Sequence, residues 1–380
     1  MRPMKKRGVW LAAAMVLLAL AAWLMSRGDK EKPTVRPRKI EFPRYPKPAE
    51  VERASRRRTL PPLSAPPPGV ETPQWKRDPV LAALPADPKR SAMVFEIEAL
   101  KESPIMQIWL DCMLSRGDER AGFARLKDRY GIDVLEDVER IAASSTGLIV
   151  LQGSFEGARF ERERWSTRTY GERGVLYEEK DTGRGVATWG PDVLILNPRA
   201  EPDLVEDAID RLESTDPAQG SILQEYQAYS DVYGVLSPDD LSKMLPSEQD
   251  QLAERIRETV QRVEIHVDAS EDVAVVAEVA GPAGQEMEDL SKLFGAALSM
   301  GRLNAKREDN DELAELLDHA KVETQTRRPP WASKPEEQRF SVDVALPVEL
   351  LKNLGPCRRD RPEPERDIKV EPEPEPAPPR

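Results

Sequence analysis

The spacing of hydrophobic positions changes repeatedly between two residues and about 3.6 residues along 91–357, which predicts alternating strands and helices. In the first half, the strand period covers 93–97, 138–142, 148–155, 175–179, 186–189 and 193–196, and the helix period covers 105–113, 123–130 and 202–212. Short consecutive strands with brief connections favour antiparallel pairing. The pattern therefore predicts an α+β fold with antiparallel sheets.

The second half presents a similar order of elements. Its strand-like stretches are 232–236, 263–267, 273–279, 322–326 and 340–346, and its helix-like stretches are 249–260, 287–298, 313–320 and 348–354. The segments 138–141 (VERI) and 260–263 (VQRV) stand at the same step of the two halves. We interpret the body as two similar α+β units, 78–215 and 216–357, and a coincidence of element order is the alternative.

An uninterrupted apolar run extends from Val9 to Met25, and four basic residues precede it (Arg2, Lys5, Lys6 and Arg7). Its seventeen residues are at the lower end of the length that spans a hydrocarbon core, and a tryptophan lies near each end. The run predicts a single-pass transmembrane helix at 9–25. Residues 1–8 would then lie in the cytoplasm, the bilayer would be a partner, and the body would lie in the periplasm of a bacterial cell.

A secretory signal sequence is the alternative for the same run. Ala19-Leu20-Ala21 fits a small-x-small cleavage site, with 9–18 as the apolar core. The uncleaved anchor in the inner membrane is favoured, because the apolar run continues past that site through Trp23 and Leu24 to Met25. Cleavage would instead release a periplasmic or secreted protein, and both alternatives place the body outside the cytoplasm.

Charge and proline divide the rest of the chain. Residues 26–77 hold 14 Lys/Arg and 6 Asp/Glu, a net charge of +8, together with 11 of the 35 prolines. Residues 78–357 hold 32 Lys/Arg and 55 Asp/Glu, a net charge of −23. An acidic body repels nucleic acid, which excludes the usual nucleic-acid-binding classes.

The proline content predicts two segments without packed structure. Proline fixes φ and lacks a backbone donor, so 26–77 is expected to be a disordered stem without helix or sheet, and Arg56-Arg57-Arg58 is expected to be exposed. The Pro/Glu-rich tail, 358–380, is expected to be disordered as well.

The two histidines limit the chemistry that the body can perform. Strand alternation places Glu264, His266 and Asp268 on one face, an arrangement that can ligate a cation or relay a proton. The favoured interpretation is a solvated polar face of an antiparallel strand. His319 follows Asp318 on a predicted helix and is expected to be a surface residue.

No motif of nucleophilic catalysis or nucleotide binding occurs in the sequence, which lacks both GxSxG and GxxxxGK[ST]. The segment 182–185 (TGRG) predicts a tight turn between strands. Five carboxylates occupy the start and outer face of a predicted helix, where they complement its dipole: Glu201, Asp203, Glu206, Asp207 and Asp210. No catalytic residue, cofactor or metal site is predicted.

The two cysteines provide the one predicted covalent feature. Cys112 lies on the first long helix of the body and Cys357 just after its last helix. Outside the cytoplasm such a pair is often oxidised, so a Cys112–Cys357 disulfide is predicted, with a buried thiol and an exposed thiol as the alternative.

These observations favour a membrane-tethered interaction or scaffold module that is not an enzyme and that contacts another envelope protein. A soluble periplasmic or secreted binding protein is the first alternative. A carboxylate-dependent envelope enzyme that uses Glu264 and Asp268 is the second.

Overall fold

The computed structural model describes 41–57, 60, 77–115, 130–160, 163–199, 203–214, 221–245, 250–308, 310–324 and 337–348, together with residues 124, 127, 128 and 201. The predicted transmembrane helix, the tail and Cys357 lie outside the described residues, as does most of the helix predicted at 348–354. The predictions for these segments stay predictions.

The strands in the described residues follow the order predicted from the hydrophobic pattern. They are β1 Ala92–Glu96, β2 Val138–Ser144, β3 Ile149–Gly153, β4 Trp165–Tyr170, β5 Gly174–Glu179, β6 Gly185–Trp189, β7 Val193–Asn197, β8 Val232–Leu236, β9 Arg262–Asp268, β10 Val273–Pro282, β11 Ala320–Thr324 and β12 Glu337–Leu346.

Helices connect and cover these strands. They are α1 Pro48–Arg56, α2 Pro79–Ala83, α3 Ile97–Glu102, α4 Pro104–Ser115, α5 Asp203–Glu213, α6 Pro238–Met244, α7 Asp250–Thr259, α8 Gln285–Arg307 and α9 Asp311–Asp318, with a short 3₁₀ turn at Glu225–Gln227. The predicted α+β class with antiparallel pairing is confirmed.

The twelve strands of the described residues form one continuous sheet, in the order β11-β12-β10-β9-β8-β1-β2-β3-β7-β6-β5-β4. The two predicted units are joined because β1 pairs with β8 in antiparallel fashion, with Met93 opposite Gly234. A Cβ atom at Gly234 would lie 2.4 Å from the Ala92 carbonyl oxygen, so glycine permits this close approach. The predicted antiparallel sheets thus form one continuous sheet in the described residues, while the duplication of the two halves stays a prediction.

The sheet is covered differently on its two faces. One face of the second half packs β8, β9, β10 and β12 against apolar residues of α7 and α8, including Ile256, Met287 and Leu290. The opposite face of the first half packs against α2 and α5, through residues such as Leu81 and Ile209. The remaining part of that opposite face, over β8 to β12, carries charged side chains.

Part of the predicted stem is folded, which corrects the expectation for 26–77. Helix α1 begins at Pro48, and proline is tolerated there because the first amide of a helix has no intrahelical acceptor. The amide of the preceding residue, Lys47, donates to the Glu50 carboxylate at 2.8 Å. Further along, Leu60 is buried and its amide donates to the Arg77 carbonyl at 2.8 Å. Proline therefore shaped this segment without preventing a helix.

Candidate functional site

The strand alternation of β9 places Glu264, His266 and Asp268 on one face, as the sequence predicts. The predicted solvation of that face is wrong, because these side chains belong to residues that are only 4%, 2% and 6% exposed. The face is buried because other parts of the chain lie over it: Arg262 and Arg339 pair with Glu264, Tyr229 stacks on His266, and Lys47 pairs with Asp268. Lys47 belongs to 41–57, which we call the strap.

The strap begins over the β11–β12 edge of the sheet. Arg44 lies 2.5 Å from Asp343 on β12 and 2.9 Å from Glu323 on β11, and it also donates to the Ser341 hydroxyl at 3.3 Å. The Lys321 ammonium lies 4.9 Å from the centre of the Phe42 ring, a cation–π contact. These contacts attach the start of the strap to the outermost strands.

The middle of the strap crosses β9 and β8. Lys47 forms an ion pair with Asp268 at the end of β9. Six residues further along the strap, on α1, Arg53 lies 3.8 Å from Asp231 and 3.9 Å from Glu96. The cations of the strap thus follow the ends of successive strands.

The strap ends at the centre of the sheet, where Arg57 donates to Glu96 on β1 at 2.7 Å. Arg57 has a side chain that is only 12% exposed, so the prediction of an exposed Arg56-Arg57-Arg58 cluster is wrong at this position. Six carboxylates of the described body pair with strap cations, and Glu323 and Asp78 are the two that are not fully buried. We call the four buried ones the acidic face: Glu96, Asp231, Asp268 and Asp343.

A buried arginine of the sheet completes the environment of Glu96. Arg140 on β2 lies 3.0 Å from Glu96 and 2.8 Å from Asp78, and it donates to the Tyr233 hydroxyl at 2.6 Å and the Gln152 amide oxygen at 2.9 Å. Burial alone would lower the pKa of Arg140, but the nearby Asp78, Tyr233 and Glu96 hold that pKa above its ordinary value. This network is fully paired, which is what a buried guanidinium requires.

The acidic face contains one carboxylate oxygen without a hydrogen-bond partner. Asp343 is fully buried, and its Oδ1 atom accepts no hydrogen bond, although Oδ2 contacts Arg44. Burial raises the pKa of Asp343, while Arg44 and Lys321 oppose that shift. The carboxylate therefore retains capacity to accept a further donor.

His266 lies beneath the strap in an environment that favours the neutral ring. Its ring stacks on Tyr229 with centroids 3.9 Å apart, and the Tyr229 hydroxyl lies 3.4 Å from the Arg44 carbonyl oxygen. Burial lowers the pKa of His266 to about 4. The ring is therefore uncharged at neutral pH and serves as a packed surface below the strap.

Glu264 and Asp268, the carboxylates named for the alternative of an envelope enzyme, are engaged in ion pairs. Glu264 lies 2.9 Å from Arg262 and 3.8 Å from Arg339, and Asp268 contacts Lys47. Burial would raise the pKa of Asp268, but hydrogen bonds from Lys47 and Ser270 give a net lowering. Ionised carboxylates in this setting bind cationic groups, and that is the chemistry the face displays.

Other predicted residues lie away from the acidic face. Thr182 and Gly183 form the expected tight turn between β5 and β6, with Gly183 at φ +67°. Glu206 pairs with Arg168, and Asp210 accepts from Tyr170 at 3.1 Å, so these helix carboxylates contact β4. His319 is half-buried at the end of α9 rather than on an open surface.

No described helix is both long enough and apolar enough to cross a membrane. No group of three or more His, Cys, Asp or Glu side chains in the described ranges is arranged to hold a metal ion.

The charge distribution along the chain is a signal for the strap. The basic 26–77 segment and the acidic body are oppositely charged parts of one chain, a balance that favours contact between them. The pairs themselves are far apart in sequence: Arg44 and Asp343 are separated by 299 positions, and Lys47 and Asp268 by 221. Local periodicity carries no information on such pairs.

Comparison with known proteins adds little. No protein-family model matches the chain, and no curated protein matches it at a significant level. Crystal form I of TP0453 aligns at 10% identity and a TM-score of 0.36, over 73% of this chain and 96% of that one. Crystal form IV aligns at 9% identity and the same TM-score, over 72% and 95%. Likeness at this level carries no argument about function.

Proposed function

We propose that the chain is a membrane-tethered, extracytoplasmic interaction module of the bacterial envelope, without catalysis. The observation that supports this proposal is the occupant of the acidic face. A polypeptide segment, the strap, lies over four buried carboxylates and neutralises them with Arg44, Lys47, Arg53 and Arg57. A surface built to hold a cationic polypeptide favours binding to proteins over turnover of a small substrate.

The strap also shortens the proposed tether. A fully free stem of 26–77 reaches about 160 Å in polyproline geometry. Because the strap contacts the body from Phe42 and Arg44 onward, only 26–40 remain between the apolar run and the body. Those fifteen residues span at most about 50 Å. The proposal therefore has the body working close to the bilayer.

The ion pairs of Glu264 and Asp268 support a non-catalytic role for these carboxylates. General acid–base catalysis needs a pKa near the working pH and access to the reacting group. Asp268 instead has a lowered pKa, and Lys47 of the strap lies against it. Both features are those of a structural ion pair.

Cell fractionation tests the placement. In cells with a permeabilised outer membrane, protease added from outside should digest the body. In a second sample without protease, the full-length chain should remain in the inner membranes after an alkali wash. A variant with Leu17→Lys and Leu20→Lys should lose the membrane fraction, whereas Leu17→Ala should keep it, because a central lysine opposes insertion. A soluble mature chain that begins at Ala22 or Trp23 would instead support signal cleavage and contradict the anchor.

Crosslinking tests the interaction. A photoreactive residue placed at Tyr226, which is exposed beside the acidic face and is not part of the strap, should capture another envelope protein in living cells. The matched control is a photoreactive residue at Leu293 on α8, which is exposed on the other face of the sheet. Capture that is equal at both positions, or absent at both, would contradict a specific partner at the strap side.

A further inference from the structure

We propose that the acidic face is an exchangeable binding site for a cationic polypeptide segment of a partner protein, and that the strap occupies this site in the isolated chain. The inference deepens the proposed function and rests on its interaction role. The partner segment is defined by its chemistry: an extended, proline-containing stretch that leads into a short helix and carries Arg or Lys at intervals like those of Arg44, Lys47, Arg53 and Arg57.

The strap is held by charge rather than by apolar burial. Helix α1 has no buried residue, and Pro43 is the one buried residue among 41–57. Val51 on α1 is 55% exposed. A segment with so little buried apolar surface opens at low cost compared with global unfolding, and added salt weakens its attachment.

The site beneath the strap is assembled without it. Asp231 accepts a hydrogen bond from the Ala269 amide at 2.8 Å, and Asp268 accepts from the Ser270 amide at 3.0 Å. Glu96 accepts from the Tyr233 hydroxyl at 3.0 Å. Because groups of the sheet and its loops position these carboxylates, they keep their places when the strap leaves, and a preorganised site binds at lower entropic cost.

Asp343 supplies an independent sign that the site prefers a cationic occupant. It is fully buried, its Oδ1 atom accepts no hydrogen bond, and Arg44 of the strap is its closest cation. A guanidinium that engages both oxygens would satisfy this carboxylate better than the single Oδ2 contact does. A partner segment with such an arginine therefore competes with the strap on favourable terms.

Peptide binding to the full-length chain in detergent tests the exchange. The probe is a fluorescent peptide of the strap sequence, 41–57, and the control is a scrambled peptide of the same composition and net charge. A chain with Lys47→Gln and Arg53→Gln has a weakened strap and should bind the probe at least tenfold more tightly than the native chain. Arg56→Gln is the matched control, because Arg56 pairs only with the exposed Glu52 among its described contacts and should leave binding unchanged.

The acidic face is tested by adding Asp268→Asn to the weakened-strap chain, where the Lys47 ion pair is already removed. This substitution keeps the size of the side chain and should weaken probe binding at least tenfold. Circular dichroism and the thermal midpoint of each variant verify that it is folded. The proposal is overturned if the weakened-strap chain binds the probe no more tightly than it binds the scrambled peptide. It is also overturned if Asp268→Asn leaves the affinity for the probe unchanged. If the probe binds but no partner is captured in cells, the proposed envelope partner is contradicted and the exchange is not. If a partner is captured but the probe does not bind, the exchange is contradicted and the interaction role is not.

Discussion

One face of the sheet is covered in two different ways. Over β2 to β7, helices α2 and α5 bury apolar side chains such as Leu81, Val205 and Ile209. From β1 across β8 to β12, the strap covers the acidic face with ion pairs, and Pro43 is its one buried residue among 41–57. The first cover is part of the hydrophobic core, and its attachment scales with buried apolar area. The second depends on charge, so pH, salt and competing cations act on it.

The largest effect is expected in the apolar cover. Ile209 on α5 is fully buried, and Ile209→Ala removes three methyl or methylene groups from a packed core. We expect a loss of about 2–5 kcal/mol in the free energy of unfolding, measured by urea denaturation. Leu204 on the same helix is only partly buried, so Leu204→Ala should cost clearly less. Equal losses would show that α5 does not form a close-packed cover.

The next largest effect is expected on the loss of folding stability in acid, through protonation of His266. Its folded pKa, about 4, lies below its unfolded value of 6.5, so the unfolded chain binds the proton more tightly between these values. The resulting stability is fully present above pH 6.5 and is lost as the pH falls toward 4, by about 3 kcal/mol in total.

The groups around this ring are Tyr229, which stacks on it, Tyr233, which lies opposite on β8, and the carboxylates Glu264 and Asp268 on its own strand. His266→Phe keeps a ring in the stack and cannot take up a proton. Denaturation of native and variant chains between pH 7 and pH 4 should show a shallower loss for the variant. If the free energy of unfolding changes with pH in the same way for the two chains, the assignment of a buried, neutral His266 is contradicted.

A smaller effect is expected where the strap neutralises Asp343. Arg44→Gln leaves this buried carboxylate with Lys321 at 3.5 Å as its remaining described cation, which should cost about 1–3 kcal/mol at pH 7. Burial raises the pKa of Asp343, so the penalty is present above that pKa and should shrink as the pH falls and the carboxyl group becomes neutral. Denaturation at pH 7 and pH 5 measures both parts. A penalty that grows toward pH 5 would contradict this assignment.

The smallest effect is expected on the outer side of the strap. Val51→Ala on α1 should change the free energy of unfolding by less than about 0.5 kcal/mol, because Val51 is exposed. In hydrogen-exchange measurements, the amides of α1 should exchange faster in high salt, while the exchange rates of the α5 amides should not change. A salt response of α5 as large as that of α1 would erase the contrast between the two covers.

Secondary structure could be predicted where one face of an element is apolar. The strand at 232–236 was predicted with the bounds of β8, and the alternation of β9 gave the shared face of Glu264, His266 and Asp268. Strand β4, Trp165–Tyr170, was missed because four of its six residues are exposed at the sheet edge and leave no apolar alternation. The strap could not be predicted from local patterns, because its cations pair with carboxylates that are distant in the sequence.

Periodicity and charge are local properties of the chain, and they are sufficient to predict the α+β class, most strand positions and the division into a basic segment and an acidic body. The pairing of β1 with β8, which joins the strands into one sheet and which Gly234 permits, depends on contacts between distant parts of the chain. The burial of the polar face of β9 depends on such contacts as well. Whether a carboxylate is solvated or paired depends on what lies above it, and here that is Lys47, more than two hundred positions away in the chain.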